Sequence, residues 1–284
     1  MSHMITIGAT TWSEHKALIT EDRPVTLAEY AANFPVVEVD TFFYGIPRIS
    51  TVKNWQAQVP PTFQFVVKAH RSMTGHVDKK ANLTELKETF ANFKLAVAPL
   101  VATGQLKTVL FQFPPYFIPT KKSINYLRQI RAWLPELPLC LEFRNQAWFQ
   151  PKTLPSLVTF CRQERFTLTA ADEPHQTEAS VPFYPVVTTP DLMFWRLHGR
   201  NQQGWLKKGP NWRKERTLYR YDHAELEQFK QTLTGLQNDV KEICIIFNNN
   251  SAGDAVPNAL ALKELLGIDF DGLGPPPPTQ LNLI

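Results

Sequence analysis

Cysteine is scarce in this chain and nothing suggests that it pairs. Cys140, Cys161 and Cys244 lie far apart, odd in number and without a CxxC spacing. They read as buried thiols in a reducing compartment, not as a disulfide framework. Histidine is nearly as sparse, and of the seven only His70 and His198 fall where strands are expected to end. A zinc cluster, which uses several Cys or His ligands, is therefore not expected. No apolar run approaches the roughly 18 residues that suggest a spanning helix, so no membrane partner is expected. The N-terminal stretch lacks a basic start followed by an apolar segment, so no secretory signal is expected and the chain reads as cytoplasmic. Residues 1–3 read as an expression-tag scar, with Met4 as the natural start. Net charge is only +4, too small to announce a nucleic-acid binder by itself. Glycine numbers 12 of 284, and no glycine-rich phosphate fingerprint follows any expected strand.

Apolar material is plentiful: 43% of the chain is hydrophobic and 12% aromatic, enough for a large core. Eight short β-rich runs recur, at residues 5–10, 36–40, 64–69, 108–113, 138–143, 166–171, 192–197 and 242–247. Each is apolar almost throughout, as in parallel strands buried on both faces. Helical patterns fill most gaps. Thr26 with Glu29 has capping-box spacing. Residues 83–100 carry an apolar stripe, and 27–34, 49–57, 123–133, 154–165, 224–236 and 256–266 read likewise. Residues 173–190, with four prolines, and 199–221 read as irregular. Strand–helix alternation of this kind predicts an α/β fold, a single (β/α)8 TIM-type barrel with parallel strands over residues 4–273. An open doubly wound sheet is the alternative. Residues 274–284 form a proline-rich tail, expected to be extended and to dock on the barrel, stay disordered or serve a partner.

In such a barrel the chemistry sits where strands end. The apolar runs close on Trp12; on Glu38, Asp40 and Tyr44; on Lys68 and Arg71; on Gln112; on Glu142, Arg144 and nearby Trp148; on Asp172 and Glu173, of which Asp172 is the candidate; on Arg196 and His198; and on Asn248 and Asn249. Strand side chains alternate, so Glu38 and Asp40 share a face, as do Glu142 and Arg144, Arg196 and His198. If Val37, Val39, Phe143 and Leu197 face the helices, these polar residues point into the mouth. Each has a plainer reading, as a core ion pair, a loop cap or a packing aromatic. A polar residue at nearly every strand end favours a functional mouth, because buried charge is costly unless paired.

The motifs that include Gly8 to Trp12, Val37-Glu38-Val39-Asp40-Thr41-Phe42-Phe43-Tyr44, Phe65 to Ala69, Phe111-Gln112-Phe113-Pro114-Pro115, Leu141-Glu142-Phe143-Arg144, Arg196-Leu197-His198-Gly199 and Phe247-Asn248-Asn249-Asn250 resemble the domain of unknown function 72 (YecE-like) family. The likeness extends in order from Gly8 to about Leu266. Asp40 stands where that family commonly has Asn, and Thr11-Trp12-Ser13 where it has Gly-Trp-Ser. The resemblance implies a TIM-type barrel and supplies no reaction.

Three functional readings follow. In the first, an enzyme acts on a small anionic or phosphorylated molecule, phosphoester hydrolysis being one option. Lys68, Arg71, Arg144 and Arg196 supply positive charge, Glu38 or Glu142 a general base, His198 a proton carrier and Asn248 orientation. Glu38, Asp40, Glu142, Asp172 and His198 offer oxygen and nitrogen donors to Mg²⁺ or Mn²⁺. In the second, the loop at 200–221 binds nucleic acid. It holds Arg200, Lys207, Lys208, Arg213, Lys214, Arg216 and Arg220 against Glu215 alone, a net +6, interleaved with Trp205, Trp212, Tyr219 and Tyr221. In the third, Glu38 and Glu142 form a glycosidase pair. Neighbouring cations would depress the acid catalyst's pKa, which disfavours that reading.

Overall fold

Strand and helix alternate from one end of the chain to the other, and the computed structural model describes residues 4–76, 82–174, 179–207, 209 and 215–275. The strands are β1 (Met4–Thr10), β2 (Val36–Val39), β3 (Gln64–Lys68), β4 (Leu106–Gln112), β5 (Leu139–Glu142), β6 (Phe166–Leu168), β7 (Ala170–Asp172), β8 (Leu192–Leu197) and β9 (Glu242–Phe247). The helices are α1 (Leu27–Ala31), α2 (Thr41–Tyr44), α3 (Ile49–Gln56), α4 (Leu83–Ala102), α5 (Lys121–Trp133), α6 (Leu154–Gln163), α7 (Gln202–Leu206), α8 (His223–Leu236) and α9 (Ala255–Leu266). All strand pairs are parallel, in the order β6-β5-β4-β3-β2-β1-β9-β8-β7.

The sixth apolar run therefore appears as two segments. β6 pairs with β5, while β7 pairs with β8. Thr169 separates them and its N–H still donates to Leu141 O at 2.9 Å. The two ends of the hydrogen-bonded order are thus one continuous stretch of chain, and the ring closes through it as an eight-fold α/β barrel.

The buried residues divide as strand alternation requires. Val36, Val66, Leu110, Cys140, Phe194, Cys244 and Ile246 fill the barrel interior. Val37, Val39, Phe143 and Leu197 join the larger core between strands and helices. Three helices start in capping boxes: Thr26 with Glu29, Asn82 with Glu85, and Asp222 with Glu225. Tyr30 on α1 reaches between two strands, accepting from Ala9 N–H at 2.7 Å and donating to Val36 O at 3.0 Å. Gly8 makes this possible, since a Cβ there would sit 2.1 Å from Val36 O.

At the barrel's N-terminal end the β3–β4 register shifts between Phe65 and Val66, which places Lys107 as an extra residue opposite that step. A bulge of this sort re-aims a side chain. Lys107 pairs with Glu242 at 2.5 Å, and Thr6 Oγ1 donates to the same carboxylate at 2.5 Å. The chain returns to that end: Thr62 Oγ1 donates to Gly272 O at 2.8 Å, and Gly274 N–H to Ala31 O at 2.9 Å. Gly274 is the first residue of the expected tail; 276–284 and the expected scar at 1–3 lie outside the described residues. The segment 199–221, read as irregular throughout, contains the short helix α7, started by Asn201 accepting from Gly204 N–H. No described helix is long and apolar enough to cross a membrane.

Candidate functional site

Arg196, near the C-terminal end of β8, is 1% exposed and joins two carboxylates from distant strands. Its Nε and Nη2 donate to Glu38 Oε2 and Oε1 at 2.7 and 2.6 Å, and Nη1 donates to Glu142 Oε2 at 2.7 Å. Glu142 Oε1 pairs with Arg144 Nη2 at 2.6 Å and accepts from Gln112 Nε2 at 2.8 Å. Arg144 Nη1 donates to Glu173 Oε2 at 2.5 Å, and Glu173 Oε1 accepts from Val181 N–H at 2.8 Å. A chain of alternating charge, Glu38–Arg196–Glu142–Arg144–Glu173, thus crosses the barrel mouth.

Burial raises the pKa of Glu142, but Arg144 and Arg196 outweigh it and hold the carboxyl well below its usual range. For Glu173 burial wins: despite Arg144, it moves up to about 7, with the Glu142 charge adding to the rise. Burial lowers the Arg196 pKa, yet Glu142 and Glu38 overcome this and raise it, so the guanidinium stays charged. His198 is brought down to about 3 by burial and by Arg144, and is neutral. Its Nε2 lies 2.9 Å from Arg144 Nη2 and 3.2 Å from Glu142 Oε1, and its Nδ1 lies 2.8 Å from Asn248 Nδ2. Gly199, at φ +89, follows it where a Cβ would overlap Tyr219.

Above this chain opens a cavity of about 470 Å³. Glu38, Asp40, Tyr44, Lys68, Gln112, Arg144, Arg196, His198 and Asn248, all expected from the strand ends, line it. Lys68 stands apart from the network. Its Nζ lies 4.6 Å from the centre of the Phe43 ring, and it has no hydrogen bond or ion pair to any described residue. Protein surrounds the side chain, although it keeps some surface towards the cavity. Burial, then the Arg196 charge, brings its amine down to about 8, against the opposing pull of Glu38, Glu142 and Asp40. Asp40 is raised by burial, partly offset by Lys68.

Other expected site residues lie elsewhere. Asp172 points away from the cavity, held by Arg200 at 2.9–3.0 Å and by Tyr221 OH at 2.7 Å. Trp148 is buried in a stack with Phe143 and Phe117, its Nε1 donating to Phe117 O. Trp12 packs edge-on against Trp55. Asn249 is buried, bonding Tyr219 O and Asn258 Oδ1. Arg71 does not line the cavity. The general-base role expected of Glu38 or Glu142 meets a physical obstacle, since all four oxygens already accept from or pair with charged or amide donors. The same commitment removes them as ready ligands for Mg²⁺ or Mn²⁺, and no three His, Cys, Asp or Glu side chains converge on a metal position among the described residues.

Of the two residues that close the sixth run, Glu173 and not the expected Asp172 joins the network, and the strand ends do not announce the rim. His76, Tyr116, Arg216, Thr217 and Trp205 also line the cavity, all from loops or a short helix. Arg216 stacks over Trp205 at 4.7 Å. Of the other loop cations, Arg200 pairs with Asp172 and Glu225, Lys207 with Glu215, and Arg220 with Asp254. Lys208, Arg213 and Lys214 lie outside the described residues.

Comparison with known proteins places this geometry among relatives. The family described as "Protein of unknown function DUF72" matches residues 6–281. The UPF0759 protein YunF of Bacillus subtilis (strain 168) is 39% identical over 287 residues, covering 99% of this chain and 100% of that protein. The crystal structure of a DUF72 family protein from Enterococcus faecalis V583 superposes with a TM-score of 0.91 at 39% identity, covering 96% of this chain and 98% of that one. One from Thermotoga maritima MSB8 gives 0.78 at 29% identity, covering 94% and 100%.

Proposed function

Because this chain belongs to the DUF72 family, whose description assigns no reaction, the mouth must supply the reading, and we propose that it binds a small anionic molecule, phosphorylated or carboxylated, on which Lys68 acts. The observation that carries this is the uncommitted amine. Every other charged group of the central network is neutralised by a partner, whereas Lys68 turns its N–H donors towards the cavity without an acceptor among the described residues. Arg144 and Arg216 border the same space and favour a negatively charged occupant. Proton transfer suits these groups better than phosphoester hydrolysis, because the carboxylates that would activate water are held by guanidinium groups. Lys68, with its amine brought down to about 8, has a second protonation state within reach near neutral pH, and Asp40, raised by burial, lines the same cavity.

Nucleic-acid binding is the weaker reading. The described cations at 200–220 are paired or stacked within the fold, and Trp205 and Tyr221 are buried. They offer no open aromatic platform for bases.

A thermal-shift panel of inorganic phosphate, sugar phosphates, 2-oxo acids, nucleotides and short oligonucleotides, with and without Mg²⁺ or Mn²⁺, tests the reading. A ligand at a hundred times its Kd stabilises the folded state by about 2.7 kcal/mol. The expected result is a rise in Tm with one class of small anion, lost in both Lys68→Met and Arg216→Met. A panel without any small-anion shift, or shifts unchanged in both variants, overturns it.

A further inference from the structure

We propose that Lys68 is a nucleophile that forms an imine with the carbonyl carbon of an anionic aldehyde or ketone held in the mouth. This rests on the anion-site reading and adds the substrate's second functional group.

The placement of the amine argues for covalent chemistry over simple charge recognition. Lys68 ends β3, so a rigid strand delivers its side chain to the cavity. Carboxylates stand nearby, yet none pairs with it. Glu38 and Glu142 are held by Arg196, and Asp40 lines the cavity without a bond to the amine. Arg196 adds a like charge from the barrel side. The other flank is apolar, formed by the Phe43 ring, with Pro114 and Pro115 also on the cavity wall. A residue meant only to hold an anion gains from staying charged, and arginine would do so unconditionally. A desolvated lysine beside a second cation is instead the arrangement that activates an amine. With its pKa near 8, the neutral fraction at pH 7 is on the order of a hundredfold that of an exposed lysine.

The step balances with groups already in the cavity. The neutral amine attacks the carbonyl carbon, a C–N bond forms, and the π pair moves to oxygen. A proton passes from nitrogen to that oxygen and gives the carbinolamine. Asp40, on the wall of the same cavity, takes up the proton that the Lys68 ammonium gives up before attack and donates it to the hydroxyl, which leaves as water. The nitrogen lone pair then closes the C=N bond, leaving an iminium beside the Asp40 carboxylate. The iminium acidifies the neighbouring carbon, and water reverses the sequence.

Borohydride trapping on the full chain tests this. The three cysteines are free thiols, so the reagent meets no disulfide in the fold. Pyruvate and dihydroxyacetone phosphate serve as anionic carbonyl probes, acetone as the neutral one, and inorganic phosphate as the anion without a carbonyl. Intact mass and peptide mapping report the reduced adduct. The expected result is one adduct per chain, on Lys68, from at least one anionic probe, at lower concentration than acetone requires and absent in Lys68→Arg. Wild-type peptide mapping decides the question even if that variant fails to fold. No adduct on Lys68, or labelling spread over surface lysines, overturns the imine. If phosphate still raises Tm, the anion site survives that failure; if nothing binds, both readings fall. An adduct formed equally well by acetone overturns the anionic assignment of the substrate.

Discussion

Lys68 carries a signature in stability as well as in reactivity. Its amine titrates at about 8 in the folded chain, below the ordinary lysine value. Between pH 8 and about 10.4 the unfolded state therefore holds more protons, and stability rises with pH across that window. Below pH 8 the full penalty of the enclosed ammonium applies. Lys68→Met removes it, so the variant is expected to exceed the parent at pH 7 by on the order of 1–3 kcal/mol. The gain should shrink as pH climbs from 8 towards 10. Urea unfolding at the two pH values measures this, and a variant less stable at pH 7 would show the amine held charged by a partner. Lys68 was legible in the sequence because it closes an apolar run and shares parity with Val66 inside the barrel. Its isolation was not, because it depends on Arg196 taking Glu38 and Glu142 from strands far away in the chain. The choice of Asp172 over Glu173 failed for a related reason: strand parity sends Asp172 outward to Arg200 and Glu173 inward to Arg144.

At the scale of elements, Arg196 is a junction. One guanidinium on β8 binds carboxylates from β2 and β5, fixing three strand ends that are not neighbours in the sheet. Arg196→Met leaves Glu38 and Glu142 buried without their shared cation, which costs about 3–5 kcal/mol where one partner of a buried pair is removed. The pH dependence follows from Glu142. Its folded pKa lies below the unfolded value, so its contribution is present above that unfolded value and is lost as pH falls through the folded one. Losing Arg196 removes one of the cations that hold the Glu142 pKa down, and the variant's deficit should narrow as the pH is lowered towards 4. Denaturant midpoints at pH 7 and pH 4.5 check it; a constant deficit would mean that packing, not charge, was lost. The strands and most helices were readable from periodicity and caps, as with Thr26 and Glu29. Loop elements were not. Helix α7 depends on Asn201 capping and on Trp205 packing beneath Arg216, contacts that no local pattern announces.

For the whole molecule, the barrel divides stability from chemistry between its two ends. The Lys107–Glu242 pair sits where strands begin, brought inward by the bulge in β4 and sealed by Thr6. Glu242 opens β9, and Asn248, just beyond the strand's last residue, lines the mouth. Six residues at about 3.3 Å each separate the two by roughly 20 Å. A charge change at the base should therefore alter folding without reaching the ligand. Lys107→Met strands Glu242 with only a hydroxyl for company, and is expected to cost about 3–5 kcal/mol. Lys107→Met with Glu242→Leu removes both charges, and should recover most of that loss because an apolar pair of similar volume needs no desolvation. Differential denaturation of the single and double variants measures the first effect. The anion-induced rise in Tm, read on the same proteins, measures the second and should match the parent in size. A lost ligand shift in the double variant would mean that the base of the barrel positions the mouth, and that the interior layer of Val66, Leu110, Phe194 and Ile246 transmits the change.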